Sequence, residues 1–265
     1  MGNLKLKSIV ICNKGNVRKT NQDNFLLNGK YNNSTEEKEC VQFMQSKDDI
    51  QVYGVFDGMG GMQGGEIASL ISVQVAAEYR DRLIEQGSTN MNQAINEYYH
   101  EANKNVCDTL MGQGGTTAAI IWVDKELVYG SNIGDTRIYL FRDNNLRQMS
   151  CDHTEVALFK RLSTGENKYL SKLEGGLTQY LGIDANEMII EPFYFTLVPK
   201  NDDKLLICTD GLTGFITNED IRYTLEKELD IKLAAQELLK KVELAHGKDN
   251  ITIMLLQFKK KWSIC

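Results

Sequence analysis

Short β-forming runs joined by turns too tight for a parallel return are the strongest constraint this sequence places on its fold. The runs cover 8–12, 24–27, 51–56, 116–123, 127–133, 137–141, 189–197, 204–209 and 251–258. Turns such as Val123-Asp124-Lys125 and Arg142-Asp143-Asn144-Asn145 require antiparallel neighbours, because a parallel return needs a crossover of about a dozen residues or more. Two helical stretches, 66–85 and 91–110, lie between the third and fourth runs, and two more, 218–227 and 231–245, precede the last. In the final one Ile231, Ala235, Leu238, Val242 and Ala245 form an apolar stripe opposite Lys232, Gln236, Lys240 and Glu243. Antiparallel sheets covered by amphipathic helix pairs make an α+β sandwich.

The 265 residues contain no Pro-, Ser- or Gly-rich linker, so one domain spanning 1–265 is expected. A net charge of −6, with Lys259–Lys261 as the clear basic cluster, argues against a nucleic-acid surface. That cluster reads as a solvated tail after the last strand. No apolar run approaches the roughly 20 residues of a membrane span. The start MGNLKLKSIV lacks the apolar stretch of a signal peptide, and Leu6 stands where a myristoylation motif needs Ser or Thr. The expectation is a cytoplasmic protein without membrane partners. Cys12, Cys40, Cys107, Cys151, Cys208 and Cys265 form no CxxC pair and read as reduced thiols. There is no P-loop lysine motif and no HExxH pair.

Two segments break the regular pattern. Residues 29–49 are polar, with the run Glu36-Glu37-Lys38, and read as a mobile excursion between strands. Residues 151–176 read as irregular, with a short helix over 155–162. Either would be placed to cover a site.

Two apolar strands end alike: VYGVFDG runs into Asp57-Gly58 and LLICTDG into Asp210-Gly211. Taken singly, Asp-Gly is a common turn. With Asp135 in SNIGDTR and Asp249 in KDNITI, however, four aspartates stand at strand ends beside Gly or Asn. Hard divalent cations take such carboxylates together with carbonyls and waters. His100, His153 and His246 form no metal-binding pair, so zinc is not expected. Carboxylates that converge without cations would repel one another, which makes a metal cluster the simplest account of convergence.

The ordered series RKTNQDNF, VFDGMGGMQGGEIAS, GGTTAAI, SNIGDTRIYL, CDHT, LTQYLG, LLICTDGL and KDNITIMLL resembles the metal-dependent protein phosphatases of the protein phosphatase 2C type, especially their compact bacterial members. The likeness covers nearly the whole chain. It implies a four-layer α-β-β-α sandwich of two mainly antiparallel sheets flanked by helix pairs. It also implies a monomer that dephosphorylates phosphoserine and phosphothreonine in protein substrates of serine/threonine kinases, using two or three divalent ions, Mn²⁺ or Mg²⁺.

Residue by residue, Asp57 resembles the carboxylate bridging two metals, and the carbonyl of Gly58 binds one of them. Asp210 and Asp249 look like ligands of the second metal, and Asp135 with Asp210 matches a third, weaker position. Arg18 matches the arginine that grips substrate phosphate, and its paired donors suit a tetrahedral oxyanion. Gln22, where some relatives carry Glu, and Asp23 lie behind the ligands. Met59 stands where many eukaryotic relatives carry a histidine acid, which leaves the general acid unassigned. His153, the other histidine one would propose for it, reads as a structural hydrogen-bonding residue.

Two rival functions share this pattern. A phosphatase dedicated to one partner protein differs in specificity rather than chemistry, and GGTTAAI and LTQYLG favour the general branch. A phosphoprotein-binding pseudophosphatase would lack a ligand, whereas Asp57, Asp210 and Asp249 are all present.

Overall fold

The computed structural model describes residues 4–33, 39–46, 48–60, 64–86, 90–125, 127–162 and 175–260. In chain order its elements are β1 (Leu4–Asn13), β2 (Asp23–Leu27), β3 (Glu39–Ser46), β4 (Ile50–Met59), α1 (Gly64–Gln86), α2 (Met91–Leu110), β5 (Gly115–Thr116), β6 (Ala118–Asp124), β7 (Leu127–Ile133), β8 (Arg137–Arg142), β9 (Asn145–Gln148), α3 (Glu155–Leu162), β10 (Phe193–Leu197), β11 (Lys204–Cys208), α4 (Asp210–Thr213), α5 (Asn218–Lys227), α6 (Ile231–Leu244) and β12 (Ile251–Lys260). One sheet runs β3-β1-β12-β11-β8-β9. The other runs β10-β7-β6-β4-β2, with β5 paired to the end of β4.

The tight turns produce the antiparallel hairpins expected of them. Asp143 and Asn144, at φ 50° and 60°, are both left-handed between β8 and β9. Two such residues form the hairpin turn whose twist matches that of its strands.

Apolar alternation explains the layering. Along β6, Ala118, Ile120 and Trp122 face helices α1 and α2, while Ala119, Ile121 and Val123 face the other sheet. Along β12, Ile251, Ile253 and Leu255 pack under α4, α5 and α6, while Met254, Leu256 and Phe258 point between the sheets. Each central strand therefore serves two cores, which is why it reads as continuously apolar instead of alternating with polar residues. The four-layer arrangement implied by the resemblance is the one observed. Among the described residues no helix is long and apolar enough to cross a membrane.

Three features differ from the expectation. Part of the 29–49 excursion is β3, an edge strand paired along its length with β1. Its Cys40 and Met44 pack against the core between the sheets, while Val41 and Phe43 stay exposed. An edge strand that buries so few side chains leaves a weak pattern, and the neighbouring charged run hides it. The run at 189–197 shortens to β10 because Pro192, without an N–H, cannot donate to the ladder. The LLICTDG turn winds into the single-turn helix α4. Of the 151–176 segment, α3 forms as expected, and 163–174 lie outside the described residues.

The topology determines where function can sit. Because neighbouring strands alternate in direction, the ends of β4, β7 and β11 share one rim with the starts of β2 and β12. Leu206, fully buried in β11 beneath the helices, supports that rim from within the sheet. Leu206→Ala should cost about 2–5 kcal/mol of unfolding free energy. A urea titration showing less than 1 kcal/mol lost (~) would mean that the layer relaxes around the cavity.

Candidate active site

Asp57 approaches the rim near the end of β4, with Asp23, the first residue of β2, directly opposite it in the ladder. The Asp57 backbone is held on both sides. Its N–H donates to Thr117 Oγ1 at 3.1 Å, and its carbonyl accepts from Thr117 N at 2.9 Å and Thr116 Oγ1 at 2.9 Å. Thr117 and Thr136 hydroxyls share a 2.5 Å hydrogen bond, which ties β4 to the turn bearing Asp135. Glycine is obligatory beside Asp57: a Cβ at Gly58 would lie 2.1 Å from the carbonyl oxygen of Gly65 and 2.6 Å from that of Gln22.

Asp210 begins α4, and a Cβ on the following Gly211 would lie 1.9 Å from the Asn250 carbonyl oxygen. Asp249 precedes β12, where the Asn250 N–H donates to its Oδ1 at 2.8 Å. Arg18, on the segment between β1 and β2, donates from Nη2 to Asp249 Oδ2 at 2.7 Å. Together Arg18, Gln22, Asp57, Gly58, Met59, Asp135, Asp210 and Asp249 line one cleft of about 390 Å³. Asp23 is buried one layer behind, its Oδ2 accepting from Thr252 Oγ1 at 2.7 Å and Thr209 Oγ1 at 3.1 Å. The residues expected from the sequence to hold metal or phosphate are thus gathered in one cleft, with Asp23 behind it.

Electrostatics reflects the crowding. Burial, followed by the charges of Asp23 and Asp210, raises the Asp57 pKa well above the usual carboxylate range. Burial, with Asp210 and Asp249 nearby, pushes Asp23 up to about 7 against its two threonine hydrogen bonds. Burial and Asp210 push Asp135 up to about 6. Asp210 is exposed as a residue at the cleft mouth, but its carboxyl is desolvated by the surrounding walls and faces Asp249, and its pKa also rises.

The sequence left several supporting residues unmarked. Gln22 Nε2 donates to Gly60 O and to Glu66 Oε2, both at 3.2 Å. Glu66 is buried at the start of α1; burial opposes its charge, but hydrogen bonds from Thr20 and Gln22 outweigh it and lower its pKa. The paired threonines of GGTTAAI were the readable signal for Thr117. Thr209 and Asn250 carried none beyond adjacency to an aspartate, and Thr252 none at all. His153 accepts the Gly134 N–H at Nδ1, 3.1 Å away, and burial and Arg161 push its pKa down to about 4. It is a neutral structural residue bracing the turn before Asp135. In CDHT the aspartate, Asp152, forms a fork with Arg137 at 2.6–3.1 Å.

A family model described as "Protein phosphatase 2C" matches residues 39–243, well over half of the chain. The chain belongs to the protein phosphatase 2C family. A serine/threonine phosphatase, stp, of Listeria welshimeri is 28% identical over 227 residues, covering 80% of this chain and 86% of the relative. The Mycobacterium tuberculosis serine/threonine phosphatase PstP/Ppp superposes with a TM-score of 0.77 at 22% identity, covering 97% of this chain and 100% of that one. The catalytic domain of the phosphatase PstP in complex with two manganese ions superposes equally well, TM-score 0.77 at 21% identity, with 97% and 100% coverage. Asp57, Asp135 and Asp210 fall inside the span of the family model, and Arg18 and Asp249 outside it.

The donor set of this phosphatase 2C cleft suits hard divalent cations. Its wall supplies carboxylate and carbonyl oxygens, without lysine, cysteine or histidine among the described residues, and burial together with neighbouring carboxylates raises the pKa values of Asp57, Asp135 and Asp210, a crowding that a divalent cation would relieve. Among the described residues no three His, Cys, Asp or Glu side chains are drawn together tightly enough to cage a single ion.

A pH dependence follows for the cation-free protein. Asp23 at about 7 and Asp135 at about 6 keep protons in the folded state that the unfolded chain, with aspartate near 3.8, has already released. The folded state binds more protons at these two groups across this window, so their contribution to stability is fullest below about pH 4 and is lost as the pH rises towards about 7. Thermal unfolding in chelator should show this decline, and Asp135→Asn should flatten it. An Asp135→Asn profile parallel to that of the unsubstituted protein would place the Asp135 carboxyl outside the cluster.

Proposed function

We propose that this chain is a metal-dependent serine/threonine phosphoprotein phosphatase that hydrolyses phosphoserine and phosphothreonine by direct attack of water. The observation carrying the reading is the convergence of Asp57, Asp135, Asp210 and Asp249 with one arginine, Arg18, on a single cleft. Asp57, the Gly58 carbonyl, Asp210 and Asp249 would hold two ions, Mn²⁺ or Mg²⁺, and Asp135 with Asp210 a third. When bound, such cations acidify water and neutralise the charge of a phosphate dianion.

The protein's own contribution is positioning. Arg18 presents paired donors to the phosphoryl oxygens from the rim, and its Nη2 exchanges Asp249 for substrate as the phosphate arrives. Thr116 and Thr117 hold the Asp57 backbone, and the Gln22 carbonyl holds the Gly58 N–H, while Asp23 is fixed behind the cleft by Thr209 and Thr252. The Thr117 hydroxyl is already bonded to Asp57 and Thr136, and no serine, cysteine or histidine lines the cleft among the described residues. With the aspartates of the cleft engaged as cation ligands, water is the nucleophile of this reading, and no phosphoenzyme intermediate is needed. Met59 offers no proton, so the leaving alkoxide takes one from water in the cleft.

The same reading takes residues 1–265 as one catalytic domain, acting as a cytoplasmic monomer on substrates of serine/threonine kinases. Free thiols at Cys12, Cys107, Cys151 and Cys208 support a reducing compartment.

Metal-stripped protein should not hydrolyse a phosphothreonine peptide, and Mn²⁺ or Mg²⁺ should restore turnover. Asp57→Asn and Asp210→Asn should each lower kcat/KM by on the order of a thousandfold, the equivalent of several kcal/mol of transition-state charge stabilisation. Turnover that persists in chelator, or folded Asp57→Asn protein with full activity, would reject the reading.

A further inference from the structure

We infer that Asn250 is a positioning residue for phosphate binding, clamping the 14–22 segment so that Arg18 and Asp249 face the substrate as one unit. The inference rests on the phosphatase reading above and adds to it the group that holds the arginine in place.

The Asn250 side chain is 5% exposed and uses both ends of its amide on this one segment. Its Oδ1 accepts the Gln22 N–H at 2.9 Å, and its Nδ2 donates to Lys14 O at 2.8 Å and Thr20 O at 3.0 Å. Carbonyls face one end and an N–H the other, so a single amide orientation satisfies all three bonds. The bonded residues bracket Arg18, whose own carbonyl accepts from Lys14 Nζ at 3.0 Å.

The clamp reaches beyond the arginine. The Gln22 carbonyl accepts the Gly58 N–H at 3.1 Å, so the same segment abuts the turn following Asp57. Gly15, at φ +74°, lies so close to β12 that a Cβ would be 2.3 Å from the Asp249 carbonyl oxygen. Residues 249 and 250 thus form a seat against which the Arg18 segment is pressed, with side-chain hydrogen bonds on one side and backbone contact on the other. Arg18 is exposed, and its Asp249 pair is a partly solvated contact, too weak to fix a long side chain alone. Placement of the guanidinium therefore falls to the backbone beneath it, and Asn250 holds that backbone.

The backbone N–H of residue 250, which orients Asp249, is retained in Asn250→Ala. Truncating Asn250 should therefore affect phosphate binding more than metal activation. In the 1–265 chain with Mn²⁺, Asn250→Ala should raise both KM for a phosphothreonine peptide and the inhibition constant of inorganic phosphate by on the order of tenfold, with a smaller change in kcat and in the Mn²⁺ activation constant. Amide exchange over 14–22, followed by mass spectrometry, should accelerate without a general loss of protection.

A double-mutant cycle separates positioning from general structural support. If Asn250 acts through Arg18, the Arg18→Ala, Asn250→Ala double variant should bind phosphate little worse than Arg18→Ala alone. Fold-changes that multiply would overturn the inference and leave the phosphatase reading standing. No effect of Arg18→Ala on KM or phosphate inhibition would instead overturn the assigned role of the arginine, and this inference with it. Gly15→Ala, which wedges the same segment off Asp249 while keeping Asn250, is the second variant should Asn250→Ala not fold. It should reproduce the KM signature, and an unchanged KM in folded Gly15→Ala protein would also overturn the proposal.

Discussion

Repulsion among buried carboxylates is the constraint around which this molecule is arranged. Asp23 and Asp57 are paired across a β-ladder, and Asp135, Asp210 and Asp249 line the same cleft as Asp57 from other strand ends. Left alone, such a group would spread apart or protonate, and the raised pKa values of Asp57, Asp23 and Asp135 show the second tendency. What prevents the first is the stiffness of two sheets packed face to face. Each central strand is anchored in two cores, so the energy of burial holds the rim in a geometry that its charges oppose.

The rim is kept compact by backbone pressed on backbone. Gly58 against Gly65 and Gln22, Gly211 against Asn250, and Gly15 against Asp249 leave no room for a Cβ. These contacts let acidic turns from distant parts of the chain approach one another more closely than side chains would allow. A layer of hydroxyls and amides then satisfies what the contacts leave polar. Thr117 bridges to Thr136, Thr209 and Thr252 hold Asp23, and Asn250 holds the arginine segment. Such a fully bonded layer is rigid in a way that exposed ion pairs are not.

At the far end of the same strands a second cleft, of about 400 Å³, is lined by Arg142, Asp202, Asp203, Lys204 and Lys259. There the charges are matched: Arg142 pairs with Asp203, and Lys259 with Asp202. The two ends use similar residue types to opposite effect. At the far end acid and base compensate each other, whereas the like charge gathered at the rim is the arrangement a cation would relieve.

Much of this could be read from the sequence because its signals are local. Apolar β-forming runs, short turns and the amphipathic stripe of α6 depend on neighbours in the chain, and they specified antiparallel strands and packed helices. The repeated strand-to-Asp-Gly ending marked Asp57 and Asp210, and the ordered motifs added Arg18, Gly58, Asp135 and Asp249. Where burial was partial the pattern failed, as at β3, whose exposed Val41 and Phe43 and polar Gln42 resemble a loop. What only the tertiary structure decided is the work of residues with no chemistry of their own. Asn250 reads as the second half of an Asp-Asn turn, and Thr252 as an ordinary strand residue. Their importance comes from partners more than 200 positions away, 228 between Asn250 and Gln22 and 229 between Thr252 and Asp23. Hydrogen bonds across that separation leave no periodicity along the chain, because they exist only once both sheets have closed.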